Sequence, residues 1–214
     1  YSLYRPRVYQ ASCRARMDHL RAFFENLARE WDLSQPPGRD SVINRLLEPF
    51  DQELVQSKSI LDVGTGTGAM IPILQNRYPA SRIISVDLAE NMLRIAKRKM
   101  LNDCLVQSDV HALPFRDGNF ACVICHNSFP HFWQKDQALM EIRRVLQVEG
   151  KLLILHDISR EKVNWIHRNA REKVIHHDLL SEGNILGQML SQAGYQLLTL
   201  EDDDTHYSSF AQKQ

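Results

Sequence analysis

Three alternate glycines constrain the fold of this chain more than any other feature of its sequence. Residues 59–63 form a short apolar run that predicts a buried strand, and Gly64, Gly66 and Gly68 follow it directly. Glycine has no Cβ and tolerates positive φ, so a ligand can lie against the backbone here. The helix predicted from Ala69 offers free N–H groups at its N-terminus. The spacing fits the dinucleotide pattern G-x-G-x-x-G only loosely, because Ala69 holds the sixth position.

Beyond this turn, predicted strands and helices alternate. Apolar strands are predicted at residues 82–87, 104–107, 120–125 and 151–156, and Glu149-Gly150 is expected to turn the chain before the last of them. Such alternation is typical of a parallel sheet covered by helices on both faces. The pattern then changes, and it predicts helices at 161–174 and 184–193 and an antiparallel edge hairpin from 195–200 and 206–211.

An amphipathic helix is predicted before the first strand. Its apolar side chains recur at helical spacing: Met17, Leu20, Phe23, Phe24, Leu27 and Trp31. We expect this face to pack over the ligand cleft as a lid. The basic residues nearby are predicted to form a solvated face, with contact to an anion as the alternative: Arg5, Arg7, Arg14, Arg16 and Arg21. We therefore divide one structural domain into a helical extension, 1–50, and a main part, 51–214.

Composition limits the classes of partner. The formal net charge is zero, which argues against nucleic acid as the main partner. No apolar run approaches the ~20 residues of a membrane span. Cys122 and Cys125 lie three apart on a predicted strand, so they point to opposite faces and are expected to be buried free thiols. Reduced cysteines predict a cytoplasmic protein. The chain opens at Tyr1 without methionine, which indicates trimming.

Acidic and polar side chains stand at the carboxyl end of every predicted parallel strand, where open α/β sheets bind ligands. Asp87 comes 19 residues after Gly68, and its carboxylate can accept both hydrogen bonds of a ribose diol. Asp109 can accept from an exocyclic amine, with the Val110 amide beside it. Each aspartate alone could equally cap a helix or face solvent. Together with Asp62 they occupy three strand ends, which favours a nucleoside-type ligand.

Three segments together resemble the cofactor motifs of class I S-adenosylmethionine-dependent methyltransferases, in particular the small-molecule branch that includes the ubiquinone/menaquinone-biosynthesis type. The segments are 60–68, 86–93 and 108–115, and the resemblance extends over about 40–157. It implies a Rossmann-like, seven-stranded, mostly parallel sheet with helices on both faces and an antiparallel last strand. It also implies S-adenosylmethionine as the cofactor and S-adenosylhomocysteine as the product.

The resemblance assigns cofactor roles by position. Asp62 would orient the glycine turn or bind the amino group through water, and Asp87 would hold the ribose hydroxyls. Asp109 and Val110 would contact the adenine, and His126 and Asn127 would close the site near the sulfonium. The remaining cofactor contacts implied are Gly64, Thr65, Gly66, Leu88 and Met92. The fourth strand is followed by His-Asn-Ser-Phe-Pro and lacks the D/N-P-P-Y/F signature of amino-group methylation on bases and glutamine.

A general base would help if the methyl acceptor is an acidic hydroxyl or a carbanion, and histidine is a natural choice. The predicted catalytic residues are His131, His126 and His156; packing in the core or at the surface is the alternative for each. Histidines and carboxylates also recur over 156–178, but their spacing matches no zinc pattern, so no metal site is predicted. A metal-bound or tetrapyrrole acceptor remains a less favoured alternative.

Methyl transfer to a small-molecule acceptor through oxygen, carbon or nitrogen is therefore the leading hypothesis. A non-catalytic cofactor-binding or assembly protein with the same fold is the second. A nucleotide-dependent oxidoreductase is the third, and the imperfect glycine pattern disfavours it. Tyr1, Tyr4 and Tyr9 could close the acceptor pocket or form the contact of a homodimer.

Overall fold

The computed structural model describes residues 7–99 and 104–214, with side chains described from residue 14 onward. The predictions for Tyr1, Tyr4 and Arg5 lie outside these residues, as do those for the side chains of Arg7 and Tyr9. The helices are α1 (Arg7–Trp31), α2 (Arg39–Leu47), α3 (Asp51–Leu54), α4 (Met70–Arg77), α5 (Glu90–Arg98), α6 (Lys135–Val145), α7 (Arg160–Arg168) and α8 (Gly183–Gln192). The strands are β1 (Ser59–Val63), β2 (Arg82–Asp87), β3 (Leu105–Gln107), β4 (Phe120–His126), β5 (Leu146–His156), β6 (Tyr195–Asp202) and β7 (Tyr207–Lys213).

The strands form one seven-stranded sheet in the order β3-β2-β1-β4-β5-β7-β6. Neighbouring strands from β1 to β5 pair in parallel, and β7 runs antiparallel to both β5 and β6. The predicted fold, including its antiparallel last strand and its N-terminal helices, is confirmed. Because the carboxyl ends of β1, β2 and β4 meet at one edge, the side chains that follow them converge there.

The core fills both faces of the sheet. Cys122 packs with Ile60 and Leu153 on one face, and Cys125 packs with Leu61 on the other. Both thiols are free and buried, which confirms their predicted state. The cytoplasmic location inferred from them stays a prediction. Among the described residues, no helix combines the length and apolar character that crossing a membrane requires.

Two predicted boundaries were wrong. The helix predicted over 161–174 ends at Arg168. The Asn169 N–H still donates four residues back to Trp165, but the next N–H, of Ala170, donates three residues back to His167, which closes the helix with a tighter turn. The Asn169 side chain also donates to the Trp165 carbonyl. The strand predicted to begin at residue 151 begins at Leu146. Glu149 adopts a φ of 60°, and the register between β4 and β5 shifts across this segment. The expected turn is therefore an irregularity inside a longer strand.

Candidate active site

The glycine turn is held close to the first residues after β4. Gly64 has a φ of +77°, and a Cβ built on it would lie 2.3 Å from the Cβ of Ser128. The hydroxyl of Ser128 donates to the Val63 carbonyl at 2.6 Å. Gly66 also has a positive φ, but the nearest atom to a Cβ there is Nε1 of Trp31 at 3.8 Å. Glycine is therefore needed at position 64 for packing as well as for its backbone conformation.

Asp87 connects the glycine turn to the end of β2. Its Oδ2 accepts from the Gly66 backbone N–H at 2.8 Å, and its Oδ1 accepts from Ala89 N–H at 2.8 Å. Burial raises the pKa of Asp87 to about 6, although these backbone donors act in the opposite direction. Each carboxylate oxygen keeps a lone pair for a further donor. The side chain faces a cavity, so a hydroxyl-bearing ligand can reach it.

This first cavity lies at the carboxyl edge of the sheet, between the glycine turn and α1. Seven of the predicted cofactor residues line it: Gly64, Gly66, Asp87, Leu88, Met92, Asp109 and Val110. Asp109 accepts from the backbone N–H and the ring of His111, at 2.9 and 2.6 Å to the same oxygen. Burial alone would raise the pKa of Asp109, but these contacts with His111 outweigh it and hold the pKa below its usual value.

Asp62, in β1, and Thr65, within the glycine turn, are predicted cofactor residues that do not line the first cavity. Asp62 is 1% exposed, and neither carboxylate oxygen has a hydrogen-bond partner among the described residues. Burial raises the pKa of Asp62 to about 7, and the nearby hydroxyls of Thr65 and Ser85 oppose that rise. The role predicted for Asp62, to orient the turn or to bind an amino group through water, stays a prediction.

Helix α1 covers the first cavity, as the lid prediction proposed. Met17, Leu20, Phe24 and Trp31 line the cavity from this helix. The Glu25 carboxylate accepts from the backbone N–H groups of Glu90 and Asn91, at 2.8 and 2.7 Å, and so caps α5.

Beyond the end of α1, Asp32 contacts the glycine turn. It accepts from the Thr67 hydroxyl at 2.5 Å and pairs with Lys99 at 2.7 Å. The lid is thus attached at its middle to α5 and at its end to the glycine turn. Neither Glu25 nor Asp32 was singled out from the sequence.

A second, larger cavity of about 660 Å³ adjoins the first. Trp31, Asn127 and His131 line both cavities, so the boundary between the two lies at these three side chains. The rest of the second wall combines apolar and polar groups: Ser34, Gln35, Pro36, Pro37, Arg39, Val42, Pro130, His156, Asp157, Ile158, Lys162, Val163, Ile166 and His167. An acceptor held here would approach a ligand of the first cavity at this boundary.

His131 is fixed at the boundary by contacts on several sides. Its Nδ1 lies 3.0 Å from Oδ2 of Asp178, and its ring packs edge-on against Phe24 with centroids 4.9 Å apart. Arg16 pairs with the other oxygen of Asp178. The predicted solvated face is therefore wrong for Arg16, because the buried carboxylate draws it inward. His167 packs beside His131, and burial lowers the pKa of His167 to about 4.

His126 is buried below the boundary and lines neither cavity. Its Nε2 lies 3.6 Å from Oδ2 of Asp157, beyond hydrogen-bond distance. The same Oδ2 accepts from Arg39 at 2.7 Å, and Oδ1 accepts from Asn127 at 2.6 Å. Burial opposes the ionisation of Asp157, but His126 and Arg39 outweigh it and hold the pKa far below its usual value. The direct cofactor and catalytic contacts predicted for His126 are not supported by this placement.

His156 is buried in the wall of the second cavity, and its Nε2 has no hydrogen-bond partner among the described residues. Burial holds its pKa well below the usual value, so the ring is neutral. No cluster of three or more histidine, cysteine or carboxylate side chains suited to a metal ion occurs in the described part of the chain. The histidines of 156–178 instead make contacts that are separate from one another. For example, Nε2 of His176 hydrogen-bonds the Ala170 carbonyl.

The sequence and the fold are similar to those of known methyltransferases. A family model described as "Methyltransferase domain" matches residues 61–154. The chain is 30% identical over 176 residues to the malonyl-[acyl-carrier protein] O-methyltransferase of Geobacter sulfurreducens, with 76% of this chain and 65% of that protein covered. It is 30% identical over 145 residues to the demethylmenaquinone methyltransferase of Thermotoga maritima, with 64% of this chain and 61% of that protein covered.

The chain thus spans less than two thirds of the length of these two curated relatives. Among solved structures, a SAM dependent methyltransferase from Aquifex aeolicus superposes with a TM-score of 0.68 at 19% identity, covering 86% of this chain and 96% of that one. At that identity the likeness shows the fold alone.

Proposed function

We propose that the chain is a class I S-adenosylmethionine-dependent methyltransferase and that it transfers a methyl group to a small-molecule acceptor held in the second cavity. The observation that carries this proposal is the boundary formed by Trp31, Asn127 and His131. It places a histidine between a cofactor-like cavity and a larger cavity that can receive an acceptor.

The side chains of the first cavity suit the cofactor. Carboxylates at Asp87 and Asp109 match the hydroxyl and amino donors of an adenosine, and Leu88 and Met92 offer apolar walls for its base. Gly66 leaves the backbone open to a bulky tail. The Asp62 carboxylate is buried without a hydrogen-bond partner among the described residues, which suits the support of a cationic amino group.

When bound, S-adenosylmethionine supplies a methyl group on a positively charged sulfur and leaves as neutral S-adenosylhomocysteine. The protein's main task is to hold the acceptor atom in line with that methyl group, which can contribute several kcal/mol. His131 accepts the acceptor proton at Nε2 while the new bond forms, and it becomes an imidazolium. Asn127, which lines both cavities, helps to hold the acceptor atom in line with the methyl group.

The second cavity favours an acceptor with an apolar body and a polar group. Val42, Ile158, Val163 and Ile166 provide the apolar surface. The buried Nε2 of His156 has no hydrogen-bond partner among the described residues. It can therefore form one hydrogen bond with the polar group of the acceptor. The names of the two relatives give different acceptors. Transfer to oxygen, carbon or nitrogen therefore stays a prediction for this chain. Three statements remain predictions: that the acceptor is a small molecule rather than nucleic acid, that the protein forms a homodimer, and that it is located in the cytoplasm.

The test incubates the protein and metabolite extracts with S-adenosylmethionine carrying a labelled methyl group. We expect a labelled small molecule with wild type, and loss of label with His131→Gln while S-adenosylhomocysteine binding by calorimetry persists. Binding without any labelled product would favour the non-catalytic hypothesis. Binding of NADH in place of S-adenosylhomocysteine would contradict the proposal.

A further inference from the structure

We propose that Asp178 is the positioning residue for His131, because it determines which ring nitrogen of His131 carries the proton. Arg16 of the lid pairs with the other carboxylate oxygen and so fixes the orientation of the Asp178 side chain. This inference rests on the proposed function for its meaning, but its central measurement does not require a known acceptor. Asp178 lies outside every predicted strand end, on the segment between α7 and α8.

The contacts of Asp178 are divided between its two oxygens. The residue is 2% exposed. Oδ2 lies 3.0 Å from Nδ1 of His131, and Oδ1 pairs with Arg16. The backbone carbonyl of Asp178 contacts Nδ1 of His167. A buried carboxylate with one cationic and one imidazole partner is well satisfied, so its orientation is fixed.

This arrangement determines where the proton of neutral His131 sits. A carboxylate only accepts hydrogen bonds, so Nδ1 of His131 must carry the proton that faces Asp178. Nε2 is then left with a free lone pair, as a general base requires, and His131 lines both cavities. After proton transfer the same carboxylate stabilises the imidazolium.

Arg16 connects the Asp178–His131 hydrogen bond to the lid helix α1. Its guanidinium lies over the Trp133 ring, 5.4 Å from the centroid, and its side chain is 25% exposed. Because Arg16 belongs to α1, the carboxylate has both partners only when the lid is in place. Cofactor enclosure and orientation of the base would then occur together.

Other charged or titratable groups surround His131. His167 stacks beside it with ring centroids 4.8 Å apart, and His156 and Lys135 are close enough to act on this cluster. Lys135 donates to the carbonyls of Pro130 and Phe132 instead. Among the described residues, Asp178 is the one whose side chain hydrogen-bonds the His131 ring.

Nitrogen-15 NMR of labelled histidines in the full chain, saturated with S-adenosylhomocysteine, tests the proposal. We expect the Nδ1–H tautomer for His131 in wild type. In Asp178→Asn, the amide oxygen must face Arg16, which only donates, so the amide nitrogen faces His131. Nδ1 must then accept, and His131 should change to the Nε2–H tautomer, with labelled methyl transfer falling about 10–100-fold.

The double variant Arg16→Ala/Asp178→Asn separates positioning from structural damage. Without Arg16 the amide can turn its oxygen to His131, and the Nδ1–H tautomer should return. Asp204→Asn, an exposed carboxylate in the β6–β7 turn, is the matched control and should leave the tautomer unchanged.

An Nε2–H tautomer in wild type, or an unchanged tautomer in Asp178→Asn, would overturn the inference. Should Asp178→Asn fail to fold, the wild-type spectrum alone still decides. Absence of methyl transfer by wild type would count against the proposed function, and the tautomer result would stand independently.

Discussion

The backbone N–H of Gly66 donates to the carboxylate of Asp87 at 2.8 Å, which joins the turn after β1 to the end of β2. One side chain thus holds the glycine turn in place and also faces the first cavity. A change at Asp87 should therefore affect both the shape of the turn and the contacts offered to a ligand.

The first prediction concerns cofactor affinity. Asp87→Asn should raise the Kd for S-adenosylhomocysteine about 10–100-fold, because hydrogen bonds to a charged acceptor contribute about 1.5–3 kcal/mol. Calorimetry at pH 8 measures this, since Asp87, with a pKa of about 6, is ionised there. Asp204→Asn should bind as wild type does. Equal affinities for the two variants would contradict the role of Asp87.

A second prediction compares two glycines that have the same φ of +77° but different surroundings. Gly38→Ala meets no atom within 4 Å, so it should lose only the ~1 kcal/mol of the left-handed backbone. Gly64→Ala also drives a methyl group into Ser128 and should cost about 2 kcal/mol more in the free energy of unfolding. Urea denaturation measures both.

The added variant Ser128→Gly provides a control for this comparison. It removes the Cβ that a side chain at position 64 would meet, so Gly64→Ala/Ser128→Gly should recover part of the extra loss. A similar loss for Gly38→Ala and Gly64→Ala would show that crowding at Ser128 is unimportant.

The third prediction is a pH dependence of stability. An unfolded aspartate loses its proton near pH 4, but folded Asp62 keeps it until about pH 7. The folded state therefore binds more protons in this window, and the contribution of Asp62 to the free energy of unfolding falls as the pH rises from about 4 to 7. Asp62→Asn should remove that fall, making the free protein about 1–3 kcal/mol more stable than wild type at pH 8.

Denaturant titrations of wild type and Asp62→Asn at pH 5, 6, 7 and 8 would test it. His167, with its lowered pKa, acts in the opposite direction below about pH 6, but it does so in both proteins. Asp87, whose pKa burial raises to about 6, acts in the same direction as Asp62. The difference between the two proteins therefore reports Asp62 together with its electrostatic coupling to Asp87. A difference that stays constant with pH would show that Asp62 does not titrate in this range.

The fourth prediction concerns the attachment of the lid. Glu25→Ala removes the carboxylate that caps α5, a loss of about 0.5–2 kcal/mol. Hydrogen exchange at the amides of α1 and at Glu90 and Asn91 should become faster. Glu30→Ala, an exposed change on the same helix, is the control. Equal exchange in both variants would mean that the cap does not hold the lid.

Much of the site could be predicted because a parallel sheet gathers strand ends at one edge. Asp87 and Asp109 were placed correctly in one cavity on that ground alone. His126 was not, because pairing of β4 with β5 continues through His126 and Leu155. The ladder holds His126 within the sheet. Asn127, with a φ of 52°, is the residue that turns into both cavities.

The partners across long sequence distances could not be predicted. Arg16 and Asp178 are 162 positions apart, and Glu25 is 66 from Asn91. Charge spacing along α1 favoured a solvated face over contact with an anion, since a sequence pattern describes a helix alone and not what it packs against. The lid as a whole was predictable from its apolar spacing, but its polar attachments depend on tertiary packing.

Among the described residues, the two cavities have three wall residues in common: Trp31, Asn127 and His131. Side chains such as Val42, Ile158 and Ile166 belong to the second cavity only. Mutations there can accumulate over evolution without disturbing the groups that face the first cavity. If the proposed function holds, the groups that bind the methyl donor would be inherited unchanged while the choice of acceptor diverges. A few substitutions in this outer wall would then suffice to change the acceptor.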